Sequence, residues 1–99
     1  DEFEIAGVRA AEAQLVSAPY VADCPAVFEC RVFKEVELGA ETNILVIGEV
    51  IGIRTSPELT FVPGTHMVDP AALRPVARLG GDYYSFLGEI STLSRPSLR

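Results

Sequence analysis

From Ala26 to Val36 apolar and polar residues alternate, with Ala26, Phe28, Cys30 and Val32 on one face and Glu29, Arg31 and Glu35 on the other. That period of two predicts a half-exposed β-strand. Asn43 to Thr55, NILVIGEVIGIRT, is more apolar and rich in β-branched residues, which predicts a second strand. Leu38-Gly39-Ala40-Glu41-Thr42 supplies turn residues between them, so the two read as a long hairpin. The second strand carries apolar side chains on both faces and so requires cover on both, as in a barrel wall that also meets another subunit. Regular alternation puts Gly48 and Gly52 on the face of Val46 and Val50, and a side chain missing twice marks barrel closure, a bulge or close approach of another group.

Elsewhere the pattern is weaker. Asp1 to Gly7 has acidic residues at its start and glycine at its end, predicting a helix of about two turns. Ala10 to Gln14 tolerates helix, and Pro19 and Pro25 break the next stretch into extended pieces at Leu15-Val16 and Tyr20-Val21. After Pro57 the chain is irregular until Asp69, a good N-cap ahead of Pro70 at the first helical position. That helix is brief because Pro75 disfavours helical geometry at Arg74. A short helix is also expected from Tyr83 to Gly88, before a polar tail.

Composition narrows the partners. Eight basic against fourteen acidic residues give a net charge of −6, with no Lys/Arg cluster. Nucleic acid and anionic membrane surfaces both require a basic stripe, so neither is an expected partner. The apolar run Ile44 to Ile53 is about half the length of a membrane-spanning helix and is interrupted by Gly48, Glu49 and Gly52, so a soluble protein is expected. Cys24 and Cys30 are the only cysteines. On one extended segment they would stand roughly 20 Å apart, beyond disulfide reach, so reduced thiols, a buried Cys30 and a cytoplasmic location are expected. The chain opens on Asp1, and upstream sequence is expected.

One histidine, His66, and two separated thiols make no metal-ligand set, and the sequence holds no P-loop, nucleophile elbow or dinucleotide fingerprint. Two features carry possible chemistry. Glu49 lies between Ile47 and Ile51, and a carboxylate there needs a hydrogen-bonding loop or an arginine to satisfy it. Arg78-Leu79-Gly80-Gly81-Asp82-Tyr83-Tyr84 combines paired glycines, which allow a tight turn, with two aromatics beside a cation, although core packing of one tyrosine is an alternative.

The stretches DCPAVFECRV, NILVIGEVIGI and VDPAALRPVARLGGDYY, in this order, resemble the C-terminal half of the flavin reductase-like, flavoredoxin-type family, and the family's Gly-Gly-x-x-Tyr falls on Gly80, Gly81 and Tyr84. The likeness covers nearly the whole chain. It implies a mainly β fold, an antiparallel split β-barrel that binds FMN, of which residues 1–99 form the C-terminal portion with short helices and the N-terminal half is absent. It further implies a homodimer, FMN (or FAD) as cofactor and NAD(P)H as reductant, and it leaves open a separate chain carrying the N-terminal half. The residues it assigns to the flavin or nicotinamide pocket are Arg78 by charge, Gly80, Gly81, Tyr84 by ring contact and, more weakly, Tyr83. No catalytic acid or base is implied, because the cofactor supplies the hydride chemistry. Ser56 to Met67 is longer and richer in proline than the family's usual connection, which bears on what can stack in the pocket.

Three functions compete at this point. The chain belongs to an NAD(P)H-dependent flavin reductase, to a flavin-binding electron carrier, or to a cofactor-less dimerisation module.

Overall fold

The computed structural model describes residues 1–40 and 42–97, so Glu41 of the expected turn and the last two residues of the polar tail, Leu98 and Arg99, lie outside the described residues. The chain divides into two compact units, Asp1–Leu59 and Thr60–Arg99.

The first unit is built on the expected hairpin. Strands β3 (Ala26–Leu38) and β4 (Asn43–Thr55) pair antiparallel along their whole length. Before them come helix α1 (Glu2–Ala6) and the two-residue strands β1 (Ala10–Ala11) and β2 (Tyr20–Val21), which pair with each other. Helix α1 is shorter than two turns. Asp1 caps it by accepting a hydrogen bond from Phe3 N at 2.9 Å, and Gly7 closes it in the left-handed region at φ 70°. Two expectations fail in this stretch. Ala10 and Ala11 are extended, not helical, because their backbone pairs with Val21 and Tyr20, and Leu15-Val16 forms bends instead of a strand.

The long hairpin contains two compensating irregularities. Pairing runs Glu29↔Gly52 and then Cys30↔Val50, leaving Ile51 as an extra residue in β4. It then runs Val32↔Gly48 and Lys34↔Ile47, leaving Phe33 as an extra residue in β3. Each bulge reverses the in/out alternation of its own strand. Gly52 therefore shares a face with Glu29, while Gly48 shares the opposite face with Cys30 and Val32, and the two glycines do not point the same way as regular alternation implies. For the same reason Glu35 leaves the Glu29 face. Beyond the second bulge the Glu29 face is taken up by Lys34, Val36 and Leu38 instead.

Gly52 serves close approach. A Cβ placed there would stand 2.6 Å from Leu15 Cδ1, so the absent side chain lets residues 14 and 15 lie on the ribbon. Glu29 fixes them in position. It is only 5% exposed, and its Oε1 accepts hydrogen bonds from Leu15 N at 2.7 Å and Gln14 N at 3.1 Å, while Arg54 Nη2 lies 3.6 Å from Oε2. The Leu15 hydrogen bond, joined by that of Gln14 and the charge of Arg54, outweighs burial and holds the carboxyl below the usual glutamate range. A depressed folded-state pKa means that this contribution is complete above the ordinary glutamate pKa and is lost as pH falls through the folded value. In the full-length protein, Glu29→Gln is accordingly expected to flatten the acid limb of stability, read as urea midpoints at a series of pH values. An acid limb as steep as that of the wild type would contradict the assignment.

The opposite face of the open end is bare. Phe28 is 64% and Ile53 67% exposed, Val32 and Val50 are exposed beside them, and Cys30, expected to be buried, is exposed with a free thiol. Residues 14 and 15, which lie on this end of the ribbon, sit on the Glu29 side. Among the described residues only Leu59 and Glu29 are buried, so both faces of β4 lack the cover that their composition demands. Among the described residues the strands form three two-stranded antiparallel pairs, with no closed barrel. No helix among the described residues is long and apolar enough to cross a membrane.

The second unit begins with a loop that is more ordered than its prolines imply. Phe61 and Val68 form an antiparallel bridge, with Val62 N donating to Met67 O at 2.8 Å and Asp69 N to Thr60 O at 2.9 Å. Helix α2 (Pro70–Leu73) follows as expected, with Asp69 accepting from Ala71 N at 3.0 Å. Arg74 then turns left-handed at φ 50°, where Pro75 bars it from continuing the helix. The unit ends in strands β5 (Val76–Arg78) and β6 (Tyr84–Phe86). Strand β6 replaces the helix expected from Tyr83 to Gly88, because Tyr84 to Phe86 pair with Arg78 to Val76.

Candidate functional site

The β5–β6 hairpin carries every sequence-predicted site residue. Gly80-Gly81-Asp82 makes the turn, with Leu79 N donating to Tyr83 O at 2.8 Å and Tyr83 N to Gly80 O at 3.3 Å. Gly81 holds φ 61°, a conformation that residues with a Cβ adopt only under strain. The turn sets the register in which Arg78 faces Tyr84 directly across the strands. Directly paired residues share a face, so their side chains meet.

They meet in three contacts. The Arg78 guanidinium carbon lies 5.2 Å from the centroid of the Tyr84 ring, its Nη1 donates to the Tyr84 hydroxyl at 3.3 Å, and its Nη2 donates to the carbonyl of Gly81. The structure thus unites Arg78, Gly81 and Tyr84. Gly80 contributes only its carbonyl to the turn. Tyr83 enters through its backbone, and its ring is 74% exposed. Tyr84 is itself 57% exposed, so the described residues do not pack it in a core.

Two further residues belong to this face. Val76 and Phe86 are paired next along the hairpin, on the same side as Arg78 and Tyr84, and both are exposed. An open, mainly apolar cleft of about 210 Å³ follows the hairpin between Pro75, Val76, Phe86 and Leu87. Expecting a helix from Tyr83 onward hid Phe86, and three residues of strand are too few for alternation to have found it. Exposed aromatic rings beside a positioned cation suit a flat heteroaromatic ligand that bears negative charge.

A second polar cluster lies in the first unit. Arg54, besides facing Glu29, covers the Tyr20 ring at 5.1 Å, and with Cys24 and Ser56 it lines a groove of about 250 Å³. Its Nε is buried and has no hydrogen-bond partner among the described residues. Glu49, the carboxylate singled out in the apolar strand, is half-buried and paired with Arg31 directly opposite at 2.6 Å, the arginine-satisfied arrangement that its setting required. His66 is an exposed loop residue, and no three His, Cys, Asp or Glu side chains gather as metal ligands among the described residues.

Comparison with known proteins gives a consistent result. Residues 1–68 match the model of the flavin reductase like domain. An uncharacterized protein of Deinococcus radiodurans is 38% identical over 81 residues, covering 82% of this chain and 35% of that protein. Nitrilotriacetate monooxygenase component B from Bacillus cereus superposes with a TM-score of 0.80 at 28% identity, over 93% of this chain and 47% of that one. The 2-nitrobenzoate 2-nitroreductase NbaA of Pseudomonas fluorescens shares the fold, with a TM-score of 0.81 at 24% identity over 96% and 47% of the two chains. The chain thus spans about half the length of the solved structures it matches, and less of the Deinococcus protein.

Proposed function

The chain belongs to the flavin reductase like family, and on that premise we propose that it supplies the C-terminal part of a single FMN-binding, antiparallel split-barrel domain that passes hydride from NAD(P)H to flavin. The family match over residues 1–68 carries this reading. The partial length relative to the solved relatives and the uncovered apolar ribbon support the assignment to part of a domain, completed by further strands and by a second copy in a homodimer. The likeness to component B of a monooxygenase favours a reductase that delivers reduced flavin to an oxygenase.

The residues of the β5–β6 hairpin fit the cofactor. Tyr84 and Phe86 offer exposed aromatic surface on one face for a flat ring system, Tyr83 adds an exposed ring next to the turn, Arg78 offers charge, and Gly80 and Gly81 make a turn without side chains that would obstruct approach. When bound, the flavin accepts the hydride and supplies the redox chemistry. The protein's share is to bind and orient the ring, to exclude water and to place the nicotinamide against it.

Anaerobic stopped-flow mixing of the flavin-loaded, full-length protein with NADH and with NADPH tests the reading. Bleaching of the flavin absorbance with at least one nucleotide is expected. Tight flavin binding without bleaching by either would establish an electron carrier instead, and a protein that binds no flavin would establish a cofactor-less dimerisation module.

A further inference from the structure

We propose that the β5–β6 hairpin selects its ligand by negative charge, with Arg78 reading a phosphate group and the Tyr84 hydroxyl and Gly81 carbonyl holding Arg78 in position to do so. This rests on the flavin-site reading above and deepens it.

Arg78 differs from the ion-paired arginines of the chain in the groups it meets. Arg9 meets Asp23, Arg31 meets Glu49 and Arg54 meets Glu29. Among the described residues no carboxylate stands within ion-pair distance of Arg78, Asp82 of the same turn included. Arg78 is instead anchored by neutral groups alone: the Gly81 carbonyl, the Tyr84 hydroxyl and the Tyr84 ring. Such partners orient a guanidinium without cancelling its charge. The anchoring uses one N–H of each terminal nitrogen and leaves the rest of the planar fork, which matches phosphate oxygens, free to donate. In a chain of net charge −6, a fixed and uncompensated cation beside the exposed ring of Tyr84 is the place where an anionic, ring-bearing ligand gains most.

Tyr84 thereby has two separable roles. Its ring is a surface for the ligand, and its hydroxyl is a positioning group for Arg78. The phosphate could be that of a flavin mononucleotide or of the nicotinamide nucleotide.

The test is equilibrium binding to the full-length protein, with melting curves to verify that each variant folds. FMN and riboflavin share one ring and differ by the phosphate, as nicotinamide mononucleotide and nicotinamide riboside do. Arg78→Met and Tyr84→Phe are each expected to weaken the phosphorylated member of one pair by about tenfold while leaving its unphosphorylated counterpart within about twofold. The double variant should be no weaker than Arg78→Met alone, because the hydroxyl acts through the arginine. Whichever pair responds identifies the source of the phosphate. Equal losses for both members of each pair would overturn the charge-reading role, and a Tyr84→Phe variant indistinguishable from wild type would overturn the positioning role. Tyr84→Leu separates this from the underlying reading: if it changes the affinity of neither FMN nor riboflavin, the hairpin is not the flavin site at all.

Discussion

Produced as residues 1–99 alone, the chain is expected to sediment as oligomers or aggregates, and the paired substitutions Phe28→Lys and Ile53→Glu to shift it toward monomer. Phe28 and Ile53 face each other across β3 and β4 and are 64% and 67% exposed, with Val32 and Val50 continuing the patch. Contiguous apolar surface on a ribbon with two unpaired edges is a template for self-association. Opposite charges placed directly across the strands keep a favourable pair while removing that surface. In the full-length protein the same two substitutions should do the reverse. If further strands cover this face, they bury an ion pair where apolar side chains packed and cost on the order of 1–4 kcal/mol, seen as a lower urea midpoint or loss of soluble protein. Analytical ultracentrifugation reads the first outcome and denaturation the second. A monodisperse, cooperatively melting 99-residue monomer would refute the need for covering strands.

Gly81→Val is the second substitution expected to act strongly. Nothing lies within 4 Å of the position where its Cβ would be, so the effect comes from the backbone alone. At φ 61° a β-branched residue is disfavoured by about 2 kcal/mol, which the hairpin relieves by opening its turn. The Gly81 carbonyl would then leave Arg78, and Arg78 would leave Tyr84. Flavin affinity of the full-length protein should fall about tenfold or more, whereas Gly81→Asn, which tolerates the left-handed region, should retain most of it. Equal affinities for the valine and asparagine variants would show that the turn conformation does not govern the site.

The long hairpin was legible in the sequence because alternation marked Ala26 to Val36 and β-branched composition marked the next strand, and β4 spans Asn43–Thr55 as expected. Both helices were legible from their ends, the first from its acidic opening turn and Gly7, the second from Asp69 with Pro70. What stayed hidden depended on pairing. A bulge leaves no mark in the alternation of a strand that is apolar on both faces, so the separation of Gly48 from Gly52 could not be read from β4 alone. Glu29 resembled a solvent-facing residue, since its partners, the amides of Gln14 and Leu15, are supplied by a bend that has no sequence pattern of its own. At the candidate site, Arg78, Gly81 and Tyr84 were picked out by the family resemblance, on a segment whose paired glycines, aromatics and cation already stood out. Their register was not, because β5 and β6 are three residues each, too short for periodicity to tell strand from helix.

The two extra residues in the long hairpin constrain whatever encloses it. Past Phe33 the greasy surface spreads to the second side: near the open end it comprises Phe28, Val32, Val50 and Ile53, while near the turn Val36, Leu38, Leu45 and Ile47 look the other way and Ile44 and Val46 keep the first side. No single flat companion can serve both patches. The ribbon behaves like a plank with adhesive on its upper side at one end and on both sides at the other, and it has to be gripped from two directions at once.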